Sequence, residues 1–126
     1  MLNTVLPISL GAALGALLRW FLGQRFNGWF ALLPPGTLAA NWLGAYLMGL
    51  AMAYFSFRTD LPPHWRLGIM TGFLGGLTTF STFSAEVVTQ FQQGNWLWAL
   101  ATVAAHVIGS VLLTALGFVT LLALRG

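Results

Sequence analysis

The chain has 126 residues, of which 58% are hydrophobic and 6% charged, and its net charge is +3. Water-soluble domains carry about 25% charged residues, so there is too little charge here to cover a surface facing water. The five arginines (Arg19, Arg25, Arg58, Arg66 and Arg125) are scattered and there is no lysine, which excludes the clustered basic patch of a nucleic-acid binder. The absence of cysteine excludes disulfides and thiolate metal sites.

Four apolar stretches are long enough to cross a bilayer, and residues 1–126 read as a single integral membrane domain. The first covers about residues 2–22. No basic region precedes it, so it reads as a retained span and not a cleaved leader. The second covers about 36–57, the third about 65–91 and the fourth about 96–124. Asn27-Gly28 and Pro34-Pro35, Asp60 to Pro63, and Gln92 to Asn95 separate them. The connections are short, so neighbouring spans are expected to run antiparallel. Trp20, Trp29, Trp65, Trp96 and Trp98 fall near span ends, as interfacial aromatics do. Gly11 and Gly15, and then Gly68, Gly72 and Gly76, recur every four residues, a spacing that lets membrane helices approach closely.

Four spans place both termini on one side of the membrane, together with Arg58, Arg66 and Arg125. The other side holds Arg19 and Arg25. Three against two is a weak orientation signal, and it predicts that the chain inserts both ways round.

Within the third span, Gly75-Gly76-Leu77 is followed by Thr78-Thr79-Phe80-Ser81-Thr82-Phe83. One or two hydroxyls in a membrane helix can bond back to their own carbonyls. Four beside a glycine pair predict a break in the helix near its middle, placed at Gly75 to Thr78, with a resumed turn from Phe80 to Phe83. Irregular backbone at membrane depth survives only inside protein or along a watery cavity. Freed carbonyls suit a cation and a half-helix N-terminus suits an anion, so the segment could serve either sign of charge. Phe80 and Phe83 are three apart and share a face. Aromatic edges favour an anion and aromatic faces a cation.

Other polar groups lie in the spans. Asn41 offers donors and an acceptor, either for an interhelical hydrogen bond or for a pore lining. His106, Ser110 and Thr114 share a face of the fourth span, and His106 reads as a hydrogen-bonded packing residue. Glu86 is the one carboxylate within a span, three residues after Phe83. Intramembrane acids face protein or water, and Arg19 is its candidate partner. A Ser81–His106 dyad lacks an orienting group, so catalysis is not expected.

Together these residues resemble the Fluc (CrcB-type) family of small fluoride channels. The resemblance covers nearly the whole chain. It is carried by Gly11 to Arg19, by Gly36-Thr37-Leu38 running to Asn41 and Gly44, and most specifically by Gly72 to Phe83; Leu77 stands where the family commonly has an aromatic. The resemblance implies an all-α, antiparallel, dual-topology homodimer in the bacterial cytoplasmic (inner) membrane that exports fluoride passively. Phe80 and Phe83 would line the pores with ring edges, Asn41 would donate to the ion, and Ser81, Thr82 and Ser110 would complete the polar lining. Carbonyls of Gly75 and Thr78 from both subunits would hold a central sodium ion. Arg19 would shape the vestibule and Glu86 would lie along the polar track. The chain would be no enzyme, and its partners would be fluoride, lipid and an inverted copy of itself.

The alternative is a small proton-coupled multidrug exporter, which needs a membrane-embedded carboxylate. As a class those exporters place it in the first span, which here has no acid. A non-transporting subunit held by glycine packing would leave the hydroxyl and phenylalanine run unexplained.

Overall fold

The computed structural model describes residues 1–126 and contains helices and no strand. Helix α1 is Leu2–Phe26 and α2 is Pro35–Phe57. Residues 63–77, here α3, are one helical run: an α-turn Pro63–Arg66, a π-helix Leu67–Leu74 and a further turn Gly75–Leu77. Helix α4 is Ser81–Gln92 and α5 is Trp96–Arg125. Helices α1, α2 and α5 are each long and apolar enough to cross a membrane, and the chain is a multi-pass membrane protein.

Starts and stops follow from local chemistry. Pro35 opens α2 at a position where a missing N–H costs nothing. Asn27 caps the same helix from across the loop: its Oδ1 accepts the Thr37 N–H at 2.9 Å and its Nδ2 donates to Thr37 Oγ1 at 3.2 Å. Gly94 takes φ 77° in the turn before α5, a conformation glycine reaches without steric cost. Between α2 and α3, Arg58 holds Asp60 through two hydrogen bonds of 3.0 Å. That contact keeps the Asp60 carboxyl below its ordinary range.

Packing runs through the expected glycines. A Cβ at Gly15 would fall on the carbonyl oxygen of Phe73, and one at Gly76 on the backbone of Ala12. Helices α1 and α3 therefore meet backbone to backbone, as small residues allow where no hydrophobic drive separates protein from lipid. Helices α2 and α5 do the same, with Gly49 against the Thr114 carbonyl and Gly117 against that of Tyr46. Thr114 Oγ1 adds a hydrogen bond to the Ala45 carbonyl at 2.9 Å.

Only 20 of the 126 residues are buried, so most of the burial this chain needs comes from outside it. Leu6, Leu10, Leu14 and Leu17 of α1, and Ile108, Val111, Leu112 and Leu116 of α5, are all exposed. In a bilayer such faces meet lipid or another membrane chain, neither of which penalises them.

The third span is broken, but not where the glycine pair suggested. Gly75–Leu77 is helical, and the chain unwinds at Thr78, where φ −84° and ψ 155° are those of extended backbone. It resumes at Ser81, so Phe80 belongs to the break and only Ser81 to Phe83 to the resumed turn. Glycine at position 76 serves the close approach to α1. The π-helix was not anticipated. It shows in the Gly75 N–H, which reaches back to the Met70 carbonyl five residues earlier.

Candidate functional site

The break is stitched to the rest of the fold by one side chain. Asn41, buried on α2, accepts the Thr79 N–H on Oδ1 at 2.7 Å and donates from Nδ2 to the Thr79 carbonyl at 2.9 Å. Both backbone groups of the unwound residue are thereby satisfied, as membrane depth requires. The second N–H of Nδ2 points to His106 Nδ1, also at 2.9 Å. Asn41 thus makes an interhelical hydrogen bond, and it also lines the groove described below.

These contacts fix the proton on the imidazole. A backbone N–H can only donate, so the atom facing Thr79 N is the amide oxygen. The other end is then NH2, which can only donate, so His106 Nδ1 is an acceptor. The ring is neutral with its hydrogen on Nε2. That atom faces Glu86 Oε1 at 4.0 Å, beyond hydrogen-bonding distance, and both atoms are buried without a partner. His106 is 3% exposed at the side chain and Glu86 14%. The sequence had paired Glu86 with Arg19. The structure instead turns Glu86 toward His106, and Arg19 Nε donates to the Gly76 carbonyl at 3.1 Å.

The hydroxyls divide by task. Thr78 Oγ1 bonds back to the Leu74 carbonyl at 2.9 Å, the unremarkable behaviour of a threonine in a membrane helix. Thr79 Oγ1 accepts the Thr82 N–H at 3.0 Å and so caps α4, with Ser81 Oγ beside it at 3.4 Å. The N–H of Phe80 and the carbonyls of Gly75 and Thr78 have no hydrogen-bond partner in the chain.

Phe80 and Phe83 pack edge to face, with centroids 5.4 Å apart and planes at 79°. Phe83 is buried and lies along the His106 ring, 4.7 Å away and tilted by 32°. Phe80 is 76% exposed. Both border an open groove of about 320 Å³ between the break and α5, to which Asn41, Thr79, His106 and Ser110 also contribute. On the other side of Thr79 lies a polar pocket of about 280 Å³, lined by Arg19, Gln24, Asn27, Thr37 and Thr82. Thr79 borders both spaces, so the break separates a polar antechamber from an aromatic-walled groove.

The sequence-derived site residues thus fall into two neighbouring groups. Asn41, Phe80, Phe83 and Ser110 meet at the groove, while Arg19 and Thr82 line the polar pocket. Ser81 is exposed at the start of α4. Glu86 lies on α4 beyond Phe83 and faces His106. Two contributors were missed. Thr79 was one hydroxyl among four, yet its backbone and side chain organise the whole break. Gln90 is buried and donates to the Leu32 carbonyl at 2.6 Å, tying α4 to the loop before α2.

A family model described as "CrcB-like protein, Camphor Resistance (CrcB)" matches residues 6–118. The chain is 60% identical over 121 residues to a Tolumonas auensis protein named fluoride-specific ion channel FluC, covering 96% of this chain and 95% of that one. Proteins of the same name from Pseudomonas putida and Pseudomonas aeruginosa are 56% and 57% identical. The first spans 100% of this chain and 99% of its own length, the second 93% and 92%. With the family model covering most of its length and relatives this similar along nearly all of it, the chain belongs to the CrcB-like family.

Proposed function

We propose that this chain is a fluoride-selective ion channel, not an enzyme, that lets fluoride leave the cell passively through the bacterial cytoplasmic (inner) membrane. The observation that carries the reading is the break between α3 and α4, which sets two phenylalanines, hydroxyls and an unpartnered N–H beside an open groove. Relatives named fluoride-specific ion channels, similar along nearly the whole chain, support it.

Fluoride is small and strongly hydrated, and taking such an ion out of water costs tens of kcal/mol unless its water is replaced. The hydroxyls of Ser81, Thr82 and Ser110 and the Phe80 N–H are the replacing donors, with ring edges of Phe80 and Phe83 as weaker ones. Asn41 serves the path by holding Thr79 in place. Arg19 draws anions into the polar pocket, and Glu86 lies along the track beyond it. Chloride, being larger, fits a wall built to this scale less well.

The groove is open along one side and Phe80 stands exposed on it, so one chain does not enclose a path. A second, inverted copy closes it, giving an antiparallel homodimer with its two-fold axis in the membrane plane. The carbonyls of Gly75 and Thr78 are oxygen donors free of hydrogen bonds, and Gly75 is exposed. Such donors fit a sodium ion, and their equivalents on the second copy would complete its shell. When bound, the ion supplies positive charge that links the two broken helices.

Reconstituted in fluoride-loaded liposomes, the protein should give fast, voltage-driven fluoride efflux and no comparable chloride efflux. Absence of fluoride efflux, or export only of a cationic drug against a proton gradient, would reject the channel. Insertion both ways round has its own check. C-terminal fusions to a reporter active only in the cytoplasm and to one active only in the periplasm should both give signal. Signal from one alone excludes dual topology.

A further inference from the structure

Glu86 on α4 and His106 on α5 face each other with Oε1 and Nε2 buried and without a hydrogen-bond partner, and the conduction path above gives the ring no task. Yet the ring joins α4 to the break. Its Nδ1 accepts from Asn41, Asn41 holds both backbone groups of Thr79, and Thr79 caps α4. We propose that His106 is a positioning residue for the ion path: as the neutral Nε2–H tautomer it holds Asn41 against the break, and a second proton on the ring releases that hold. The proposal rests on the channel reading for its flux readout, though not for its geometry.

The step is proton addition to Nδ1, the one ring nitrogen that carries a basic lone pair, which now accepts from Asn41. The imidazolium has two N–H donors and no acceptor. At 2.9 Å its new N–H would face the N–H of Asn41 Nδ2, donor against donor. The amide can withdraw, and the Thr79 carbonyl then loses its partner. It can also turn over, and the Thr79 N–H then faces NH2 in place of oxygen. Either way a buried backbone group of the unwound residue loses its hydrogen-bond partner. The ring lies along Phe83, so a moved ring also moves the groove wall.

Helices α4 and α2 pack against α5 and supply the groups that face the ring. Helix α4 brings Glu86, whose Oε1 is 4.0 Å from Nε2 and where the new charge would be answered. Helix α2 brings Asn41, which does not titrate. Arg19 of α1 is engaged elsewhere, with the Gly76 carbonyl. The charged groups of α3, His64 and Arg66, lie in its first turn, and Arg125 lies in the last turn of α5.

The test is fluoride efflux from liposomes held at equal pH on both sides, stepped downward from about pH 8 into the acid range in which a buried imidazole takes its second proton. The leak of protein-free vesicles is subtracted. Wild-type flux should fall about tenfold toward the acid end, the loss expected when a buried hydrogen-bond partner is removed. His106→Asn offers an amide oxygen near the position of Nδ1 and cannot take a proton there, so it should conduct at neutral pH and stay flat. A flat wild-type profile, or an unchanged acid limb in H106N, overturns the proposal. A merely structural histidine would instead lower flux equally at every pH. If H106N fails to fold, nitrogen NMR on His64→Gln, which keeps one imidazole, decides. An Nε2–H tautomer at neutral pH supports the proposal and an Nδ1–H tautomer overturns it. A wild type without flux at any pH counts against the channel reading, and the tautomer then decides this one alone.

Discussion

Exchanging Phe80 for isoleucine should remove most fluoride flux while leaving the protein folded. The two halves of that result have separate causes. Phe80 is 76% exposed on the single chain and touches the fold mainly through the edge-to-face contact with Phe83. Truncating so exposed a ring removes little area buried within the chain, so the helical content of the detergent-solubilised protein, read by circular dichroism, should match wild type. Isoleucine is apolar and bulky, but it has no ring edge with partial positive charge to offer an anion. Flux through the liposome assay should therefore drop by at least about tenfold, the effect of losing about 1.4 kcal/mol at the barrier. Phe83→Ile should lose flux as well, with a measurable loss of stability, because that ring is buried against His106. Flux at the wild-type level in both variants would remove the phenylalanines from the path.

This contrast between two rings three residues apart was not legible in the sequence, where both simply share one face. The glycine spacing gave the helix contacts correctly, because backbone approach depends on small residues at fixed intervals and little else. The presence of a break was legible too, since four hydroxyls in five positions make a poor membrane helix. Its placement was not. Gly75 and Gly76 looked like the breaking residues, but Gly76 is small because Ala12 of α1 lies against it. The actual cause of the break, the competing bonds that Asn41 offers to Thr79, comes from 38 residues away. A long-range partner of that kind leaves no local pattern.

The same distance hid the pairing of Glu86. An acid and an imidazole alone in apolar spans each need a polar neighbour, and that was the available signal. Opposite charge pointed to Arg19 instead. Arg19 proved to be occupied by a carbonyl that the close α1–α3 approach brings within reach. Charge complementarity named a plausible pair, and the glycine-driven packing decided otherwise.

The dependence of the break on one amide sets the largest expected loss of stability. Asn41→Leu keeps roughly the volume and leaves the Thr79 N–H and carbonyl, and His106 Nδ1, without their partner. Each buried polar group left unsatisfied costs about 1–3 kcal/mol, so the backbone pair alone places the loss at about 2–6 kcal/mol. Thr79 and Asn41 are both buried, so water from the neighbouring groove and pocket replaces the lost bonds only in part. In a helical membrane segment the unwound turn then has one cheap response: to rewind, carrying Thr78 and Thr79 into an unbroken helix. Rewinding would withdraw the Thr78 carbonyl from the surface and turn Phe80 off the groove. The variant should thus show a markedly lower thermal midpoint in detergent and no fluoride efflux. Asn41→Asp should lie between, since its carboxylate still accepts the Thr79 N–H but has no hydrogen to give the carbonyl or the imidazole. Equal stability of wild type and Asn41→Leu would show that the break persists without its stitch, held open by α1 packing alone.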